Sequence, residues 1–194
     1  MGSTPRNILV FCGSNTGIDP AFRTAATALG SAIAGGGHRL VFGGGHVGLM
    51  GIVADEVLAR GGEVIGVMTE QLVGLEVAHQ GLTELDVQPT MHQRKARMAE
   101  LADGAIVLPG GFGTLDEAFE LLTWNQLGLI SVPIVFLDVN GFFTPLFEFI
   151  EGSAAAGFMK GHNGTLAQRT DDAEAAVRLA SGVAPAFTST WVDR

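Results

Sequence analysis

The sequence predicts a three-layer α/β fold, a doubly wound parallel sheet with helices on both faces. Three observations predict it: short apolar runs alternate with helical patterns, Gly-rich loops follow the strands, and turn residues separate nearly every unit. Asn7 to Cys12 reads as the first strand, closed by Gly13-Ser14-Asn15-Thr16-Gly17, and Pro20 opens a helix of small residues reaching about Ala34. After Gly35-Gly36-Gly37, Arg39 to Phe42 forms a second strand, and Gly43-Gly44-Gly45-His46-Val47-Gly48 leads into a helix through Arg60. Further strands are expected at Glu63–Met68, Leu85–Val87, Ala105–Leu108, Pro133–Leu137 and Thr165–Arg169. Helices are expected from Phe142 to about Ala156 and from Asp171-Asp172 through Leu179, with a tail from about 182 to 194. One domain spanning 1–194 follows from the 194-residue length and 47% hydrophobic content.

Lys and Arg number 11 against 20 Asp and Glu, a net charge of −9, so the surface repels nucleic acid and anionic lipid. An anionic ligand must then be held by local groups. Cys12 is the single cysteine, which excludes an intramolecular disulfide, and no apolar run approaches the ~20 residues of a membrane span. The start lacks a hydrophobic signal core, so a cytoplasmic protein is expected. The histidines show no metal-ligand spacing, and neither a metal nor a cofactor is expected.

The segment Leu108-Pro109-Gly110-Gly111-Phe112-Gly113-Thr114-Leu115-Asp116-Glu117 follows a buried-strand pattern and opens a helix, with Thr114 as its expected cap. A helix N-terminus behind a glycine loop offers unpaired N–H groups and a positive dipole end, which suits a phosphate. On a helical wheel Asp116 projects away from the apolar arc, whereas Glu117 lies at its border, one turn in from the loop. The plain structural alternative is an acidic first turn that favours the dipole.

Met91-His92-Gln93-Arg94-Lys95-Ala96-Arg97-Met98 places three basic residues within four positions. Arg94 and Lys95 straddle the methionine face and point inward, and sheltered cations need an anionic partner such as Glu117 or a substrate phosphate. Gly43-x-Gly45-x-x-Gly48 matches the dinucleotide fingerprint weakly, because it follows the second strand and lacks a placed ribose-binding acid. Gly44, Gly45 and Ser14 form instead a candidate phosphate or nucleotide loop, the alternative being a tight strand-to-helix turn. Cys12 reads as a buried small residue.

These motifs together closely resemble the Lonely Guy family of cytokinin riboside 5'-monophosphate phosphoribohydrolases, long labelled lysine decarboxylases. The resemblance rests on Pro109-Gly110-Gly111-x-Gly113-Thr114-x-x-Glu117 with Arg94-Lys95, and extends from Phe11-Cys12-Gly13-Ser14 through Gly48-Leu49-Met50-Gly51 to Trp124-x-Gln126-Leu127-Gly128. It implies a Rossmann-like homodimer that cleaves the N-glycosidic bond of N6-modified AMP, releasing free base and ribose 5-phosphate. By the family pattern Arg94 and Glu117 are catalytic, and Glu76, Arg94, Lys95, Gly111, Phe112, Gly113, Thr114, Leu115, Asp116, Glu117 and Thr123 contact the nucleotide. The chemistry agrees: a carboxylate beside the ribose opposes the positive charge that develops as the bond breaks. Two alternatives stand beside it, a non-catalytic nucleotide or cofactor carrier and a general 5'-monophosphate nucleosidase. A pyridoxal-dependent decarboxylase needs a lysine to carry the cofactor, and only Lys95 and Lys160 exist.

Overall fold

In the computed structural model, residues 4–75, 78–159 and 165–184 are described. β1 (Asn7–Phe11), β2 (Arg39–Phe42), β3 (Val64–Thr69), β4 (Glu84–Gln88), β5 (Gly104–Val107), β6 (Ile134–Leu137) and β7 (Ala167–Thr170) form one sheet, ordered β4-β3-β2-β1-β5-β6-β7. Every pairing is parallel. The intervening helices are α1 (Pro20–Gly35), α2 (Gly48–Ala59), α3 (Glu70–Gly74), α4 (Met91–Leu101), α5 (Phe112–Gln126), α6 (Thr144–Ala155) and α7 (Ala173–Ala180).

Strand alternation divides the apolar residues into two cores. Ile8 and Val10 of β1 face α1, α2 and α7, where they meet Leu29, Ile33, Val53 and Val177. Leu9 and Phe11 face the other way, against Met98 of α4, Ala118 and Leu121 of α5, and Phe143. Ile8 and Leu9 are both fully buried, each contributing roughly 1.5–3 kcal/mol relative to exposure. Continuous burial on both faces explains why the inner strands read as unbroken apolar runs instead of alternating patterns.

The helix starts follow local chemistry. Asp19 caps α1 by accepting from Ala21 N with Pro20 at the first position, and Asp172 caps α7 by accepting from Ala175 N. Three boundaries differ from expectation. α3, capped by Thr69, is a short helix the periodicity does not reveal. The segment expected to be helical from Phe142 begins at Thr144, after a 3-10 turn at Val139–Gly141 in which Asn140 takes a left-handed backbone (φ 52°). Most consequentially, α5 starts at Phe112 with Gly111 as its N-cap, so the expected Thr114 cap is wrong. Gly111 O already accepts from Leu115 N at 3.1 Å, which draws Thr114 into the first turn, where it is buried.

From β1 the chain steps outward to β4, then returns to the other side of β1 and continues to β7. The order therefore reverses between β1 and β5. Loops leaving the carboxyl ends of these two strands diverge to opposite faces, and the crevice between them is where doubly wound sheets bind ligands.

Candidate active site

At that crevice the loop after β1 and the loop after β5 are tied together, with Gly13 N donating to Pro109 O at 3.0 Å. Gly13 O in turn accepts from Leu49 N at the start of α2, also at 3.0 Å. Gly110 sits where the backbones approach so closely that a Cβ would collide with Thr114 Oγ1 and Gly13 N. The start of α5 then presents the N–H groups of Phe112, Gly113 and Thr114, which lie before the first intrahelical bond.

Arg94 rises from α4, whose start is capped by Thr90 Oγ1 accepting from Gln93 N. Its guanidinium is buried and held on several sides. Nε donates to Val67 O at 2.8 Å, Nη1 to Glu117 Oε1 at 2.9 Å, and Nη2 to Gly43 O at 3.4 Å. Gly43 leaves room for this packing, since a Cβ there would lie 2.5 Å from Nη2.

Glu117 has a side chain only 17% exposed. Burial pushes its carboxyl above the ordinary value, and the nearby Asp116 adds to this, whereas Arg94 and Lys95 pull it down. The result is a carboxylate poised by opposed influences, aimed by a fixed cation. Burial and the charge of Glu117 together push the neighbouring Cys12 thiol well up, so it is neutral and unreactive as a nucleophile.

These groups border a cavity of about 440 Å³. Its walls are the 13–17 loop, Gly43, Leu49, Met50, Arg94, the Pro109–Thr114 segment, Glu117, and the rings of Phe22 and Phe142. Of the residues singled out in the sequence, Ser14, Arg94, Gly111, Phe112, Gly113, Thr114 and Glu117 meet here.

Others lie elsewhere. Lys95 Nζ pairs with Asp116 (3.2 Å) and Glu120 (3.1 Å), bridging α4 to α5 outside the cavity wall. Burial alone would lower its pKa, but the hydrogen bonds to Glu120 and Asp116 outweigh this and raise it. Leu115 packs against the α4/α5 core, and Thr123 Oγ1 donates to Phe119 O of its own helix at 2.7 Å. Gly44 and Gly45 serve a neighbouring strand segment: Gly44 O accepts from His79 N at 2.8 Å, and Gly45 forms an antiparallel bridge with Ala78. Glu76 falls outside the described residues.

Sequence reading passed over Gly43, Phe22, Leu49, Met50 and Phe142 as wall residues. Gly43 stood in a noted glycine run, and Leu49-Met50 in a noted motif, but neither Phe carries a local signal. Their place follows only from strand order. Among the described residues no group of three or more His, Cys, Asp or Glu side chains is arranged to hold a metal ion. No helix among them is long and apolar enough to cross a membrane.

Comparison with known proteins agrees with this architecture. The family model described as "Possible lysine decarboxylase" matches residues 50–180. The cytokinin riboside 5'-monophosphate phosphoribohydrolase of Rhodococcoides fascians is 49% identical over 157 residues, covering 80% of this chain and 79% of that protein. Oryza sativa subsp. japonica LOGL1, a probable enzyme of the same name, is 44% identical over 153 residues, covering 79% of this chain and 69% of that protein. Arabidopsis thaliana LOG7 is 42% identical over 154 residues, with 79% and 71% covered. Among solved structures, the molybdenum cofactor binding protein of Rippkaea orientalis superposes with a TM-score of 0.68 at 21% identity, covering 91% of this chain and 95% of that one, a likeness of fold alone. With the family model matched over most of its length and relatives above 40% identical across about four fifths of it, the chain belongs to the family described as possible lysine decarboxylase, together with the cytokinin riboside 5'-monophosphate phosphoribohydrolases.

Proposed function

We propose that this protein hydrolyses the N-glycosidic bond of N6-modified adenosine 5'-monophosphates, and of AMP itself, to free base and ribose 5-phosphate. The observation that carries this reading is the Arg94–Glu117 pair beside the open N-terminus of α5. The 5'-phosphate binds the N–H groups of Phe112 to Thr114, with Ser14 on the facing loop, and this remote anchoring places C1' beside Glu117. As the bond from C1' to the base nitrogen lengthens, its electron pair leaves with the base and the ribose becomes cationic. Glu117 stabilises that cation and orients the water whose oxygen bonds to C1'. One water proton remains on the new hydroxyl and the other goes to the base. Arg94 fixes the carboxylate and offsets its charge near the incoming phosphate.

A carrier has no use for a sheltered carboxylate next to a bound anion, where it repels the ligand. The decarboxylase description fits poorly as well, because Lys95, held as an ammonium by two carboxylates, is a weak candidate for an imine-forming amine. Within one chain the proposed contacts are Arg94, Glu117 and Gly111 to Thr114 from the resemblance, joined by Ser14 from the candidate phosphate loop. Lys95, Asp116 and Thr123 act through α4 and α5, and Glu76 stays a proposed contact from the resemblance.

We further hold 1–194 to be a single domain, cytoplasmic, and a homodimer joined near α4. Met91, exposed at the start of α4, supports the dimer, and a monomeric mass by light scattering at micromolar protein would refute it. For the reaction, AMP and N6-isopentenyl-AMP are each incubated with purified protein and the products separated by chromatography. Free base and ribose 5-phosphate are expected, with isopentenyladenine released preferentially; release from neither overturns the proposal.

A further inference from the structure

Arg94 depends for its set on a carbonyl that a different segment controls. Its Nη2 donates to Gly43 O at 3.4 Å, the longest of its three bonds to oxygen. A shift of a few tenths of an ångström outward would end that bond. Gly43 leaves β2, and Gly44 follows it in the left-handed region (φ 79°). Peptide planes are rigid, so only the φ and ψ of Gly44 separate Gly43 O from Gly44 O. Whatever holds the second carbonyl therefore holds the first.

Gly44 O accepts from His79 N at 2.8 Å, and Gly45 forms an antiparallel bridge with Ala78. β3 backs the same spot, since a Cβ on Gly66 would lie 2.8 Å from Gly44 Cα. The segment that supplies these bonds is anchored by its histidine ring. His79 Nδ1 accepts from Gly81 N at 3.0 Å, so Nε2 carries the hydrogen and donates to Asp55 Oδ1 at 2.9 Å. Asp55 belongs to α2, whose Leu49 N is bonded in turn to Gly13 O. The ring thus fastens the loop after β2 to a helix that already carries part of the cavity wall.

We propose that His79 is a positioning residue: clasped to Asp55 it holds Gly44 in place, and through Gly43 O it sets the guanidinium of Arg94 against Glu117. This rests on the phosphoribohydrolase reading for what Arg94 and Glu117 do. Neither His79 nor Asp55 lines the cavity, so both act through backbone and not on the nucleotide. Loosening the clasp leaves the N–H groups at the start of α5 untouched, which separates turnover from binding. It also lets the guanidinium draw away from Glu117. That carboxyl then titrates higher, because Arg94 is the strongest of the influences pulling it down.

The test compares the wild type, Asp55→Ala, His79→Ala, the double variant and Asp55→Asn, which keeps an acceptor for Nε2. Each is verified as folded by circular dichroism, and the Asp55 side chain, 72% exposed, is replaced without opening the core. With AMP and N6-isopentenyl-AMP, kcat should fall about 10-fold in both alanine variants while KM stays within about 3-fold. The double variant should lose no more than either single one, and Asp55→Asn should stay near wild type. Glu117 is titrated on the same proteins without nucleotide, by NMR of its side-chain carboxyl carbon, and its midpoint should rise in both alanine variants. Removing the Asp55 charge would by itself lower that midpoint, so a rise reports the guanidinium. Unchanged kcat and midpoint in both alanine variants, or losses that add in the double variant, overturn the clasp. A fall in kcat or Tm with the midpoint unmoved overturns it as well. No base release by the wild type refutes the phosphoribohydrolase reading, and the titration then decides the clasp alone.

Discussion

Arg94 Nη1 lies 2.9 Å from Glu117 Oε1, joining α4 to α5 at the mouth of the crevice where the strand order reverses. The guanidinium is not free to turn elsewhere, because Val67 O and Gly43 O hold the rest of it. The pair sets a directed carboxylate beside the open N-terminus of α5.

Glu117→Ala should keep nucleotide affinity within a few fold while lowering kcat by roughly 10²–10³-fold, the usual effect of deleting a group that acts on the transition state. Arg94→Ala should weaken both binding and turnover. Calorimetry with AMP and product chromatography separate the two outcomes, and full activity in Glu117→Ala would refute the assigned role.

The acid limb of the kcat/KM profile should lie above the ordinary glutamate value of 4.5, since Glu117 must be ionised to act and burial raises its pKa. Asp116→Asn removes a raising influence and should move the limb down; Lys95→Met removes a lowering one and should move it up. The same shift bears on folding. Native Glu117 holds its proton to higher pH than the unfolded chain does, so its stabilising contribution is complete below 4.5 and is lost as pH rises through the folded-state value. The Tm of Glu117→Gln relative to wild type should accordingly improve across that window.

Gly43→Ala should fold, as judged by circular dichroism, yet lose roughly 10- to 100-fold in kcat, because its new Cβ displaces Arg94 Nη2. Displacing the guanidinium also weakens its hold on Glu117, so the acid limb should rise along with the loss. A purely structural defect would lower Tm and leave the limb in place.

Asn125 is buried in α5, donating from Nδ2 to Val132 O at 2.6 Å and accepting from Val132 N at 3.0 Å. Asn125→Ala strands both backbone groups before β6. The expected cost is about 2–4 kcal/mol, a fall of roughly 4–16 °C in Tm for a chain of this size, measured by thermal unfolding.

The sequence by itself determined the layered α/β architecture, because strands buried on both faces must be continuously apolar, and glycine and proline breaks leave little freedom in where they end. Asn7 to Phe11 and Arg39 to Phe42 are legible for that reason, as are the helix starts at Pro20 and at Asp171-Asp172, because these residues act on backbone only a few positions away. The glycine-rich start of α5 and the inward set of Arg94 are also local properties, written in loop chemistry and helical period. Tertiary structure alone decided what those pieces meet. Thr114 loses the cap to Gly111 because the β5 loop is pinned to Gly13, and Gly44 and Gly45 turn to Ala78 and His79 while Gly43 takes the guanidinium. Phe22 and Phe142, 120 residues apart in the chain, become one wall only through the order β2-β1-β5-β6, a long-range pairing that no local window of sequence contains.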